Sequence, residues 1–149
     1  MPSLEQVAEK LVVKMADHAV GDENKVLATL GLGSCIGIAL YDKFSKVGGL
    51  VHIMLPENPG GKKLVKYADT GIPFLIKEME AVGAKKRRLS AKIVGGAGMF
   101  KSESGDSVMK IGERNIEAVR EVLKEEGVKL SGSDVGKDYG RSMYFYLDD

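Results

Sequence analysis

The sequence contains little of the chemistry that stabilises small secreted or metal-binding proteins. It has one cysteine and two histidines in 149 residues. An internal disulfide is therefore impossible, and the unclustered histidines argue against a zinc site. A chain of this length buries roughly 70% of its unfolded surface, so it can fold without either. The lone thiol is left as core filler, a reactive group or a redox site.

Charge of one sign and long apolar runs are also missing. The 22 basic and 21 acidic residues leave a net charge of +1, which gives no argument for nucleic acid as a partner. No apolar run reaches the about 20 residues that a membrane-spanning helix needs, and the N-terminus lacks a signal-peptide pattern. We therefore expect a cytoplasmic protein without membrane insertion, in which the thiol stays reduced.

Hydrophobic periodicity predicts one α/β domain over residues 1–149, with a mixed, largely antiparallel sheet between helices. Predicted strands cover 11–20, 25–30, 35–41, 47–55, 89–94, 128–130 and 143–147, and predicted helices cover 67–82 and 112–126. Pro73 either lies in the first turn of a helix that starts near Thr70 or kinks that helix. Strands 35–41 and 47–55 form a hairpin whose odd and even positions are both apolar, so both of its faces should be covered.

Cys35 is the first candidate for chemistry. Free cysteines are more often buried and inert, which is the competing interpretation. Cys35, however, follows Gly-Leu-Gly-Ser at a strand break, where backbone N–H groups can converge on one point. Donors around Gly33 and Ser34 could hold an oxyanion, and we expect them to lower the pKa of the thiol. A redox sensor is the other alternative, although the chain has no resolving cysteine.

His52 and Thr29 are the candidate partners of this thiol. His52 lies in an apolar strand, where a histidine is often only a core residue that needs a polar partner. A four-residue loop after Tyr41 would pair Tyr41 with Lys46 and set Cys35 directly opposite His52. A five-residue loop would put the two side chains on opposite faces. Thr29 is either a β-branched strand residue or the group that fixes the His52 tautomer.

Two segments resemble the CheD family of chemotaxis proteins: Thr-Leu-Gly-Leu-Gly-Ser-Cys-Ile-Gly-Ile from Thr29, and His-Ile-Met-Leu-Pro from His52. The likeness continues through 66–70, 92–100 and 111–115, and it covers nearly the whole chain. The combination of Gly-Ser-Cys with His-x-Met-Leu-Pro is specific to this family.

The resemblance implies an α/β/α sandwich similar to toxin deamidase catalytic domains, with Cys35, His52 and Thr29 as the catalytic set. It implies deamidation of glutamines in methyl-accepting chemotaxis receptors, and also hydrolysis of receptor glutamate methyl esters in some members. No cofactor or metal is implied. CheC, a phosphatase of phosphorylated CheY, is the implied partner. A binding module that mainly regulates this phosphatase is the alternative to an enzyme.

Overall fold

The computed structural model describes residues 9–98 and 110–147. Eight strands and two α-helices account for most of them, and neither helix is long and apolar enough to cross a membrane. The strands are β1 Glu9–Val12, β2 Asp17–Gly21, β3 Lys25–Leu32, β4 Ile36–Asp42, β5 Val47–Ile53, β6 Leu89–Gly95, β7 Lys129–Val135 and β8 Arg141–Tyr146; the helices are α1 Ala68–Glu80 and α2 Ile111–Glu125.

The strands form two stacked sheets. A five-stranded sheet has the order β2-β5-β4-β6-β7, and a three-stranded sheet has the order β1-β3-β8. Both helices pack on one face of the five-stranded sheet, where alternate residues of β4 and β5 join their apolar stripes. A second apolar cluster lies between the two sheets. The α/β class and the mixed, largely antiparallel pairing are therefore confirmed.

The layer order differs from the expected α/β/α sandwich. In the described ranges, the face of the five-stranded sheet opposite the helices is covered by the three-stranded sheet, not by helices. The sequence carries only two segments with helical periodicity, and both are used on the same face. The hairpin is apolar on both faces as predicted, and a second sheet buries its other face.

The N-terminal strand predicted over 11–20 is wrong as a single element. The chain leaves the three-stranded sheet after Val12 and enters the five-stranded sheet at Asp17. The turn between them places Ala16 at a φ of 56°, in the left-handed region. Two backbone bonds fix this crossing: Val13 N–H donates to the Ala28 carbonyl (2.7 Å), and Ala16 N–H donates to the His52 carbonyl (2.9 Å). The crossing therefore joins both sheets beside His52.

The predicted register of the β4–β5 hairpin is also wrong. Asp42 pairs with Val47 and Gly37 lies opposite His52, so the pairing is two residues away from the predicted one. The reason is the turn: the Asp42 carboxylate accepts the N–H groups of Phe44 (3.0 Å) and Ser45 (3.3 Å), so the turn starts after Asp42. Because the error is an even number of residues, Cys35 keeps the face of His52 but is its diagonal neighbour.

Helix α1 begins at Ala68, earlier than the start near Thr70 that would have put Pro73 in the first turn. Pro73 lies in the interior of the helix, where it cannot donate a hydrogen bond to the carbonyl of Asp69. The apolar side of the helix still packs on the five-stranded sheet through Ile72, Leu75 and Met79. The proline therefore removes one backbone hydrogen bond without ending the helix.

Asp42 anchors the hairpin turn to the following segment. Its fully buried carboxylate contacts the Arg88 guanidinium (2.9 Å) and accepts the Lys85 N–H (2.9 Å). Burial alone would raise its pKa, but the Arg88 guanidinium and backbone N–H groups outweigh burial and hold the pKa of Asp42 well below its usual range. Arg88, in the basic run 85–88, therefore has a structural role.

We expect Asp42→Asn to lower the free energy of unfolding by about 3 kcal/mol, because Arg88 would lose its charged partner. The difference in free energy of unfolding between the unsubstituted protein and the variant should become smaller as the pH falls below about 3.9. In that range Asp42 takes up a proton in the unfolded state of the unsubstituted protein. Urea unfolding at neutral and acidic pH measures both effects. Glu23→Gln, which removes an exposed ion pair with Lys46 (3.3 Å), is the control and should cost less than about 1 kcal/mol. Equal costs for the two variants would contradict this account.

Candidate functional site

Thr29 and His52 meet between the two sheets. Thr29 of β3 and His52 of β5 both face the layer between the sheets; both are almost fully buried, and Oγ1 lies 2.7 Å from Nδ1. Gly37, opposite His52, allows this approach, because a Cβ there would lie 3.0 Å from Cγ2 of Thr29. A side chain at this position would therefore require Thr29 and its neighbours to shift by a few tenths of an ångström.

The hydrogen bonds of Thr29 determine the tautomer of His52. The Thr29 hydroxyl lies 2.7 Å from the carbonyl oxygen of Val13, which can only accept. A hydroxyl has one proton, so Thr29 donates to Val13 and must accept from Nδ1–H of His52. Nε2 then carries the free lone pair of the imidazole. This nitrogen is buried and has no hydrogen-bond partner in the part of the chain that is described.

A β-bulge turns the chain from Thr29 towards Cys35. The β3–β8 register shifts by one residue between Thr29 and Leu32, and Gly31 there has a φ of +67°. After the bulge the chain leaves the three-stranded sheet and starts β4 in the other sheet. The single bulge thus allows Thr29 to face His52 while the next residues cross between the layers.

Three consecutive carbonyls of the segment before β4 are fixed from one side. The Gly33 carbonyl accepts Ala97 N–H (2.8 Å), and the Cys35 carbonyl accepts Gly96 N–H (2.9 Å). The Ser34 carbonyl between them accepts the side-chain amide of Asn115 (2.9 Å). In a trans peptide the N–H points opposite to the preceding C=O, so the N–H groups of Ser34 and Cys35 face the other way. These two N–H groups are therefore the candidate oxyanion donors.

Cys35 is half-buried and packs against the apolar cluster between the sheets. It precedes Gly37 by two residues, so its side chain lies on the face of His52, one diagonal step along the hairpin. Burial raises the pKa of the Cys35 thiol, and its own backbone N–H opposes this rise only in part. The backbone donor lowers this pKa as expected, but desolvation of the thiolate outweighs it, so the net shift of the Cys35 pKa is upward.

Burial also lowers the pKa of His52. A raised thiol pKa and a lowered imidazole pKa together favour the neutral forms of both groups. These directions favour a resting thiol beside a neutral imidazole over a preformed thiolate–imidazolium pair. Cys35 is not a hydrogen-bond partner of Nε2 among the described contacts, so proton transfer from sulfur to Nε2 requires the two groups to approach each other.

Asn115 belongs to this region but was not identified from the sequence. It is fully buried on α2, and its side-chain amide reaches the carbonyls of both Ser34 and Met54. One signal was available: a polar Asn occupies the apolar stripe of the predicted helix, one turn before Val119. A buried amide at such a position requires partners.

Comparisons with known proteins agree with this architecture. The family model described as "CheD chemotactic sensory transduction" matches residues 54–149, a range that begins after Thr29, Cys35 and His52. A solved structure, the Neisseria meningitidis protein NMB0706 of DUF152, shares the fold: the TM-score is 0.57 and the identity is 13%, over 95% of this chain and 70% of that one.

Full-length relatives are considerably more similar. A protein of Caldanaerobacter subterraneus is 49% identical over 93% of this chain and 88% of its own length. Those of Syntrophomonas wolfei (51%, over 89% of this chain and 84% of its own) and Archaeoglobus fulgidus (45%, over 96% and 90%) are close to it. All three are named probable chemoreceptor glutamine deamidase CheD. With this similarity along nearly its whole length, the chain belongs to the CheD family.

Proposed function

We propose that this protein is a cytoplasmic protein-glutamine deamidase that acts on chemoreceptors with Cys35 as the nucleophile. The observation that carries the proposal is the hydrogen-bond chain from Val13 through Thr29 to His52, which leaves Nε2 free as a base. The only cysteine lies on the same face of the hairpin. Named relatives provide the substrate class, since they are called chemoreceptor glutamine deamidases.

The first half of the reaction forms a thioester. Nε2 of His52 takes the Sγ proton while sulfur attacks the carboxamide carbon of the glutamine. The electron pair of the C=O bond moves to oxygen, which the N–H groups of Ser34 and Cys35 stabilise. When the tetrahedral intermediate collapses, the C–N bond breaks and protonated His52 gives its proton to the leaving ammonia.

The second half hydrolyses the thioester. His52 removes a proton from water, the hydroxide adds to the thioester carbon, and the C–S bond breaks. His52 then returns the proton to the departing sulfur, so the free enzyme is regenerated and the receptor carries a glutamate. A glutamate methyl ester would follow the same steps with methanol as the leaving group. We therefore include receptor methyl ester hydrolysis in the proposal.

A CheC-type phosphatase remains a proposed partner. Its binding and the deamidase reaction are separable properties, because a regulator needs only a surface, whereas turnover needs the thiol. The binding-module alternative predicts that the unblocked protein does not modify a receptor. It also predicts that the protein binds CheC with full strength after Cys35 is blocked.

Ammonia release combined with peptide mapping tests the proposed activity. The protein is mixed with a cytoplasmic fragment of a chemoreceptor from the same organism. We expect ammonia together with the mass gain of replacing NH2 by OH at specific glutamines. Free glutamine, as the control substrate, should give little ammonia if the site recognises protein glutamine. Absence of both signals with the matched receptor fragment would overturn the proposal.

The pH dependence of kcat should show an acid limb below about 6.5, because the pKa of His52 is lowered and its neutral form is the base. Since the unfolded chain takes up a proton at His52 more readily than the folded chain, stability should also fall as the pH drops through this range. Rate profiles and thermal unfolding from pH 5 to 9 measure both. If kcat already decreased as the pH was lowered from 8 to 6.5, a neutral His52 base with a lowered pKa would be contradicted.

Thr29→Val should lower kcat by about 100-fold, because valine keeps the shape but neither accepts from Nδ1–H nor donates to Val13. The His52 ring would then lose the bond that selects its tautomer. Nitrogen-15 NMR of the imidazole should report the Nδ1–H tautomer in the native protein and a mixture in the variant. Thr29→Ser, which keeps the hydroxyl, is the matched control and should stay within about tenfold of the native rate. Equal rates for Val and Ser variants would contradict the proposed role of the hydroxyl.

A further inference from the structure

Asn115 connects the two segments that carry the reacting groups. Its Nδ2 lies 2.9 Å from the Ser34 carbonyl and 2.9 Å from the Met54 carbonyl. Ser34 directly precedes Cys35, and Met54 follows His52 by two residues. One side chain on α2 therefore holds the backbone on the cysteine side and the histidine side at the same time.

The orientation of the Asn115 amide is fixed by its partners. Both partners are carbonyl oxygens, so each must receive a proton from the NH2 group, and a flipped amide would set oxygen against oxygen. The two amide protons are thereby used completely. Oδ1 is buried and has no hydrogen-bond partner among the described residues. The residue thus joins two backbone segments but leaves its own acceptor unsatisfied. A buried unsatisfied acceptor costs free energy that an apolar residue at this position would avoid.

The link lies where the ladder of β4 and β5 ends. The last pair of that ladder is Ile36 with Ile53, and beyond it the two chains separate. Asn115 bridges them beyond this pair, at Ser34, two residues before Ile36, and at Met54, one residue after Ile53. Gly112 brings α2 close enough to do so, because a Cβ there would lie 2.5 Å from the Ala97 carbonyl and 2.6 Å from that of Gly96. The start of α2 is thus packed against the same 96–97 segment that holds Gly33 and Cys35.

We propose that Asn115 is a positioning residue that sets the distance and orientation between the Cys35 thiol and the His52 imidazole. The inference rests on the proposed function for its catalytic meaning. It acts through the backbone: the amide holds the Ser34 carbonyl, which orients the Ser34–Cys35 peptide, and it holds Met54, which fixes the end of the His52 strand. Loss of this link lets the nucleophile move relative to its base, and small displacements of this kind lower rates strongly.

The test compares Asn115→Asp and Asn115→Ser with Val119→Ala. Aspartate cannot donate to either carbonyl, and serine can donate to only one. Val119 lies one turn later on the same buried stripe and belongs to the apolar core, so its truncation is a control for destabilisation without loss of the link. Thermal unfolding of the three variants shows how much stability each has lost, so that their rates can be compared at similar stability.

Alkylation of the single cysteine by iodoacetamide, followed against pH, provides a readout that packing alone would not change. In the native protein His52 assists the thiol near neutral pH. In Asn115→Asp we expect the neutral-pH rate to fall by about tenfold or more, with the rate at pH 10 unchanged, because only direct thiol ionisation remains. The deamidation kcat should fall by about 100-fold with KM nearly unchanged, and Asn115→Ser should lie between. Val119→Ala should keep the native profile.

An Asn115→Asp protein with the native alkylation profile and native kcat would overturn the proposal. If Asn115→Asp does not fold, the same two readouts on Asn115→Ser decide it. Failure of the proposed function looks different: the native protein would release no ammonia, or release would survive Cys35→Ala. The alkylation comparison needs no substrate and still reports whether Asn115 couples the thiol to His52.

Discussion

Cys35→Ala is expected to lower the deamidation kcat by roughly 10⁵-fold or more, which would leave ammonia release at the detection limit. Without sulfur no thioester can form, and the backbone donors and His52 can only assist a poorly placed water. The thiol is half-buried, so the smaller alanine should cost little stability. Ammonia release from the receptor fragment and thermal unfolding of the same preparation measure both.

Substrate binding by the Cys35→Ala protein distinguishes loss of chemistry from loss of recognition. The variant should still bind the receptor fragment with nearly native affinity, because the substitution removes a reacting atom and leaves the surrounding surface in place. Ammonia release at more than about a tenth of the native rate would exclude Cys35 as the nucleophile. Because the chain has no second cysteine, no other thiol could replace it.

His52→Gln is expected to lower kcat at pH 7 by about 10⁴-fold. The reason is specific to this site: burial raises the pKa of Cys35, so without a base almost no thiolate exists near neutral pH. The remaining activity should therefore increase steadily with pH as hydroxide ionises the thiol. Glutamine is close to histidine in size and polar, which limits the loss of packing at this fully buried position.

His18→Gln is the matched control for this variant. His18 lies on β2 and its imidazole contacts the Phe74 ring (4.9 Å between centroids) and faces the Glu78 carboxylate (3.6 Å) on the helix side. It should keep kcat within about twofold of the native value. A His52→Gln protein that kept the native pH profile would rule out His52 as the base. A large loss of kcat in His18→Gln would indicate that replacing either histidine disturbs the sheet.

The hairpin shows how far sequence reasoning reaches. The apolar runs on both strands predicted its burial on both faces, and the pairing of these two strands was predicted correctly. The register was not, because Asp42 both ends the strand and caps the turn with its side chain. Which residue begins a turn depends on side-chain hydrogen bonds that a pattern of apolar residues does not record.

The second sheet and the Asn115 link could not be predicted for a different reason. Both depend on contacts between segments distant in sequence: β1, β3 and β8 come together from opposite ends of the chain, and Asn115 meets Ser34 across 81 positions. Periodicity identifies that a strand is buried but not which element covers it. The bulge after Thr29 was visible only as a Gly-rich break, and its consequence required the partner strand.

The proposed mechanism requires a covalent thioester between Cys35 and the receptor glutamine. The most direct measurement is an acid quench in the first turnover, followed by mass spectrometry of the peptide that contains Cys35. The account predicts an adduct on Cys35 with the mass of the substrate peptide less ammonia, which neutral hydroxylamine releases and which accumulates transiently. Rapid turnover with an unmodified Cys35 peptide at every quench time, and ammonia release that persists after complete alkylation of Cys35, would contradict it.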